Sequence, residues 1–314
     1  NRFIIHTEGP DGKPADFPIK YVFGLYPLQQ YLIELSGGRL QAFTLAWDTR
    51  PAKSGGQRWF DLYPNEAYKV GDPLHWTGYQ QNWNYMCADC HSTNLRKNYD
   101  VASNTFKTTW SEISVGCEAC HGPASQHLLW AQQGQPKSQA NKGLAHLLDE
   151  RSNVTWMRNA STDQPQRSVA RTTSKELDTC ARCHSRRLQL TDHATAATPF
   201  ADSFHLALLD QGLYYPDGQM RDEVYNHGSF LQSRMHAAGV TCSDCHDPHT
   251  QQLRAPGDAV CAQCHNAGRY ATEKHHFHPQ QSEGARCASC HMPTHTYMGV
   301  DQRHDHSLRI PQPA

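Results

Sequence analysis

All twelve cysteines of this 314-residue chain fall into six copies of one pentapeptide, Cys-x-x-Cys-His. They are Cys87-Ala-Asp-Cys90-His91, Cys117-Glu-Ala-Cys120-His121, Cys180-Ala-Arg-Cys183-His184, Cys242-Ser-Asp-Cys245-His246, Cys261-Ala-Gln-Cys264-His265 and Cys287-Ala-Ser-Cys290-His291. This is the attachment motif of c-type haem: two thiols add to the porphyrin vinyl groups and the adjacent histidine gives its imidazole to the iron. The pattern predicts six haem c groups, with His91, His121, His184, His246, His265 and His291 as proximal ligands. Three motifs crowd into Val240 to Met298, which would bring three macrocycles into one neighbourhood.

Zinc or a redox dithiol is the bland reading of a Cys-x-x-Cys pair. Zinc needs four ligands per ion, and pairing six motifs leaves the histidine after every second cysteine unexplained. With 21 histidines in the chain, chance puts one there six times with a probability on the order of 10⁻⁷. No cysteine is left over for a disulfide or a catalytic thiol.

Haem attachment of this kind takes place outside the cytoplasm, so a periplasmic or extracellular location is expected. The opening Asn1-Arg-Phe-Ile-Ile-His has no basic region leading into an apolar core, so the sequence reads as processed or trimmed. No run approaches the ~18 apolar residues of a membrane span. The formal charge is −1 with no basic block, which excludes nucleic acid as the expected partner. Hydrophobic residues make up only 38%, low for an apolar core and reasonable where porphyrins replace part of one. Arg96, Arg186, Arg187 and Arg286, each near a motif, are candidates to pair with haem propionates.

Along the chain, residues 1–65 carry no cysteine and read as a small β meander. Tyr31–Leu35 and Leu40–Trp47 are strand-like runs joined through Ser36-Gly37-Gly38-Arg39, and Arg2–Thr7 and Phe17–Phe23 flank a turn at Gly9–Gly12. Residues 66–314 read as a hexahaem region of short helices and loops wrapped round a haem array. Helices are expected over Pro123–Gln133, Ser174–Leu190 and Ser229–Ala238, and a loop or insertion from Gln132 to Ala170. Spacings of 30, 63, 62, 19 and 26 residues between first cysteines exclude a solenoid repeat.

The other 15 histidines decide between a wire and an enzyme, because a bis-histidine iron passes electrons and an open sixth position can bind substrate. A histidine a few residues beyond a proximal one cannot reach the far face of its own macrocycle, so His127 and His249 point to neighbouring haems. His275, His276 and His278 lie between the fifth and sixth motifs and are expected to supply one or two ligands, His276 and His278 foremost. His306 follows the last motif and can fold back, and His75 precedes the first. His227 and His236 are reserves, while His6, His146, His193, His205, His295 and His304 read as surface or core residues. Of the methionines, Met292 sits next to a proximal histidine and the rest read as packing.

Cys290-His-Met-Pro293, Tyr297-Met298 and Arg303-His-Asp-His-Ser-Leu-Arg-Ile-Pro311 resemble a group of bacterial multihaem c-type cytochromes. That group is related to the tetrahaem electron acceptor of hydroxylamine oxidoreductase and often carries tetratricopeptide repeats. The likeness extends through Pro14–Pro18, Pro27–Ile33, Leu74–Thr77, Met86–Asn94, Cys117–Pro123, Tyr215–Gln219 and His275–His278. It implies distal ligation by His75, His127, His249, the His275–His278 cluster and His306; His227 and His236 stand outside its pattern. The group's pattern has further Cys-x-x-Cys-His segments on either side of this stretch, so edge ligands are expected from a missing segment or a neighbouring subunit.

The resulting expectation is an electron carrier rather than an enzyme. Its partners would be redox protein donors and acceptors, or further copies of itself joined head to tail into a conductive filament. The alternative is a reductase or oxidase of small nitrogen or sulfur oxyanions with one five-coordinate haem, its pocket drawing on His304, Tyr297, Arg303, Arg269 or Tyr270.

Overall fold

Burial alternates residue by residue along Ile4–Glu8 and Phe17–Phe23, as it does in strands that bury one face. The computed structural model describes residues 2–311 and shows a six-stranded antiparallel sheet: β1 (Ile4–Glu8), β2 (Pro14–Phe23), β3 (Leu28–Leu35), β4 (Arg39–Ala42), β5 (Leu45–Asp48) and β6 (Arg58–Asp61), in the order β1-β2-β3-β5-β6 with β4 also on β3. The run from Leu40 to Trp47 is therefore two strands. Its first half pairs with Leu32–Leu35 and its second with Leu28–Gln29, so the chain breaks at Phe43-Thr44 to follow β3 to its other end.

The turn between β3 and β4 needs its glycines. Gly37 and Gly38 both have positive φ, and a Cβ on Gly38 would lie 2.1 Å from the Phe106 carbonyl oxygen. Gly38→Ala is expected to cost about 2 kcal/mol or more from combined backbone strain and overlap. Thermal unfolding checks this, and a wild-type melting temperature would contradict it.

The chain divides into two compact units: residues 1–136 with 192–196 and 296–302, and residues 137–191 with 197–295 and 303–314. The first holds the sheet and the first two motifs. Its main apolar cluster joins Leu32, Leu40 and Ala42 of the sheet to Trp83, Ala88 and Leu95, with Cys87 packed against it, so the first motif is built directly on the sheet. The Phe23 ring of β2 meets the His91 ring edge-on at 5.6 Å.

The second unit holds the other four motifs on short helices. The longest is Lys175–His184, anchored by buried Leu177 and Ala181. It stops at the histidine because Ser185 turns extended and Arg187–Gln189 becomes a strand paired with Phe204–Leu206. The stretch Ser229–Ala238 is likewise broken into His227–Leu231 and Arg234–Ala237, because Ser233 takes an extended backbone and caps the second piece. The Gln132–Ala170 interval is mostly turns, with one short hairpin of Trp156–Arg158 and Pro165–Arg167. No helix among the described residues is long and apolar enough to cross a membrane.

Candidate haem-binding sites

Every motif begins on a short helical turn; in the first, second, third and sixth the helix runs through to the histidine, whereas His246 is extended and Cys264 and His265 follow the end of their helix. In Cys87-Ala-Asp-Cys-His-Ser92 and Cys180-Ala-Arg-Cys-His-Ser185 the same device closes the turn: a buried serine hydroxyl donates to the alanine carbonyl four residues back, at 2.5 and 2.6 Å. Cys117–His121 and Cys287–His291 are complete helical turns. Cys242–Cys245 starts from a capping box in which Thr241 and Asp244 satisfy each other's backbone N–H. Cys261 lies within Ala259–Ala262. All twelve cysteines are free thiols.

Two pairs of histidine rings in the second unit have an informative separation. His246 and His306 have centroids 6.3 Å apart with planes inclined by 31°; His275 and His291 are 6.1 Å apart and nearly parallel at 11°. Those gaps are too wide for stacked contact. Two imidazoles bound to one metal from opposite sides, with metal–nitrogen bonds near 2 Å, put their centroids about 6 Å apart. Each pair joins a motif histidine to one that is not in a motif.

The ring nitrogens point the same way. A carbonyl can only accept, so a ring nitrogen facing one must carry the proton, which frees the other nitrogen's lone pair for a metal. His306 Nδ1 donates to the His304 carbonyl at 2.8 Å and His291 Nδ1 to the Arg309 carbonyl at 2.9 Å. His304 Nδ1 donates to the Met292 carbonyl at 2.7 Å, giving it the same ligand-ready tautomer. The sequence reads His304 as a surface or core residue, or as a pocket donor in the reductase alternative, and nothing local in it announces this bond.

Burial holds His306, His246 and His275 below the usual histidine pKa, with the neighbouring His291 adding to the effect on His275. The neutral imidazole it favours is the form that binds metal. His184 and His246 are solvent-accessible, yet the protein around them depresses their pKa by desolvation. Paired thiols and ligand-ready histidines fit covalent haem.

The remaining expected ligands lie as follows. His75 is buried beside Trp76 and lines a cavity of about 260 Å³ with Tyr63 and Tyr68; its Nδ1 accepts the Thr77 N–H at 3.3 Å and bonds the Thr77 hydroxyl at 2.8 Å. His127 stacks on Trp130 at 5.3 Å. His249 is exposed, with Nδ1 3.8 Å from the Asp247 carboxylate. His276 Nδ1 accepts the His278 N–H at 3.2 Å, and its buried Nε2 has no hydrogen-bond partner. The His278 ring packs on Gly284, where a Cβ would come within 2.6 Å.

Of the reserves, His236 Nε2 is engaged by Arg171 at 3.0 Å. Burial pushes His227 down to about 4 from 6.5, and its Nδ1 is buried without a partner. Its folded pKa lies below its unfolded one, so its contribution to stability is full above pH 6.5 and is lost as pH falls towards about 4. The loss is about 3 kcal/mol. A His227→Gln variant with the same acid dependence in a pH-resolved melt would contradict this.

The arginines near the motifs are occupied. Arg96 donates to the Leu95 and Asp192 carbonyls, Arg286 pairs with Glu283 at 3.1 Å and Arg187 lies over the Phe204 ring. Arg186, Arg187, His205 and Asp210 line an open cavity of about 420 Å³.

Comparison with known proteins agrees with the chemistry. Residues 73–209, which span the first three motifs, match the NapC/NirT cytochrome c family, N-terminal region. Residues 235–270, which span the fourth and fifth, match the doubled CXXCH motif. Neither is a model of the cytochromes linked to hydroxylamine oxidoreductase. No curated protein and no solved structure matches the chain. The six motifs and the two family matches are those of multihaem c-type cytochromes and point to covalently bound haem c.

Proposed function

We propose that the chain is an extracytoplasmic electron carrier that holds six covalent haem c groups, mostly bis-histidine, and passes electrons between redox proteins or further copies of itself. The observation that carries this reading is the pair of ring separations, His246 with His306 and His275 with His291, at 6.3 and 6.1 Å. A haem iron supplies one-electron chemistry, and a second histidine closes its sixth position to substrate. The cysteines hold each group by two bonds and the carbonyls of His304 and Arg309 orient the ligating rings. His75, His127, His249, His276 and His278 are the candidates for the other irons. His75 and His276 would ligate through Nε2 only after giving up the N–H that their Nδ1 accepts.

Three of the five groups a substrate pocket would draw on are already paired. Arg303 bonds Glu223 at 2.6 Å, Arg269 bonds Asp163 at 3.4 Å and His304 bonds the Met292 carbonyl. Those contacts favour the carrier over an oxyanion reductase. Intact mass with a pyridine haemochrome assay tests the loading: six haems per chain are expected, and a smaller covalent count in fully matured protein would overturn it. Negative-stain imaging reads assembly, with filaments as the polymeric form of the carrier and discrete particles at high concentration removing that form.

A further inference from the structure

The irregular spacing of the motifs hides a repeated contact. In the first unit Thr93, two residues after His91, accepts the Gly116 N–H on its hydroxyl at 2.8 Å. Gly116 is the residue from which the helix of the second motif starts. In the second unit Glu176, at the head of the helix that carries the third motif, is buried and accepts both the N–H and the hydroxyl of Ser243, at 2.6 and 2.7 Å. Ser243 lies inside the fourth motif. Asp258, which precedes the helix of the fifth motif, accepts the Cys287 N–H at 3.1 Å, and Cys287 opens the sixth.

Three times, then, an oxygen beside one motif takes a backbone N–H at the start of the next. These N–H groups have no partner within their own helix, so a side-chain acceptor fixes where the helix begins. A bond to a carboxylate is worth about twice a neutral one.

We propose that the six haem sites are organised as three stapled pairs, first with second, third with fourth and fifth with sixth, and that Thr93, Glu176 and Asp258 are positioning residues that set the haem separation within each pair. The proposal rests on the six-haem reading. Doubling by sequence proximity would instead join the fourth motif to the fifth, the two that the doubled-motif match spans. The staples cut across that grouping. Within a pair, one iron is oxidised as its neighbour is reduced, and the staple holds the distance over which the electron passes.

The test uses holoprotein carrying Glu176→Ala, Glu176→Gln or Asp258→Ala, with covalent haem count and circular dichroism in the Soret band, where close haems give an exciton couplet. Each alanine variant is expected to keep six haems and to lose about a third of the couplet, one pair of three independent ones. Glu176→Gln should retain most of it, since the amide oxygen still accepts from Ser243. A couplet unchanged in both alanine variants at full haem load would overturn the proposal. A haem count below six in the unaltered protein would instead refute the six-haem reading. If the variants fail to mature, cryo-electron microscopy of the unaltered holoprotein decides. Irons three and four, and five and six, should lie closer than four and five; the reverse order would overturn the pairing.

Discussion

Replacing His306 or His275 with alanine is expected to convert one haem apiece from low to high spin while leaving every haem covalently attached. The cysteines carry the tether and His246 and His291 keep the proximal bond, so only the sixth position opens. The size of the effect follows from removing one of two strong-field ligands, and the potential of that haem should rise with it. His304→Ala is the control: it has the ligand-ready tautomer but lies opposite no motif ring among the described contacts, so its spin spectrum should stay low-spin. Ferric spectra of the three variants check this. A low-spin spectrum in both His306→Ala and His275→Ala would remove the two ring pairs as iron ligands.

The second large effect is expected at Asp305, which is fully buried next to His306. Its carboxylate accepts the Ser307 N–H at 2.7 Å and the Met220 N–H at 3.1 Å, and so ties the ligand's loop to the cluster of Tyr214, Met220 and Val224. Asp305→Ala leaves two buried donors without partners, at a cost of about 2–4 kcal/mol. Asp305→Asn, which still offers one oxygen, should recover part of that. Thermal unfolding reads the stability, and the spin state of the haem tethered at His246 reads whether His306 is still held in place. An alanine variant as stable as the parent would show that the two N–H groups find other acceptors.

What the sequence announced and what it concealed separate along a physical line. Attachment is local: two thiols and an imidazole stand within five residues, so every motif was legible, whereas the serine that closes two of them shows only in the fold. Distal ligation is not local. His275, His276 and His278 sit within four positions, but a helix turns about 100° per residue, so which ring meets His291 depends on how Glu273–His276 packs. The tautomer of His291 is set by a carbonyl 18 residues away, beyond any motif.

The sheet shows the same division. Strand-like runs and the Gly37-Gly38 turn marked the strands, but a continuous strand-like run gives no sign that Leu40–Trp47 must break to pair with both ends of β3. The staples were invisible because their partners lie 23, 67 and 29 residues apart.

Low-temperature electron paramagnetic resonance of the fully oxidised, haem-loaded protein is the most direct test of the carrier. Low-spin ferric signals alone, unchanged by nitrite or hydroxylamine, are the predicted result. A stoichiometric high-spin signal that shifts on adding either molecule would contradict it and place an open, substrate-binding iron in the chain.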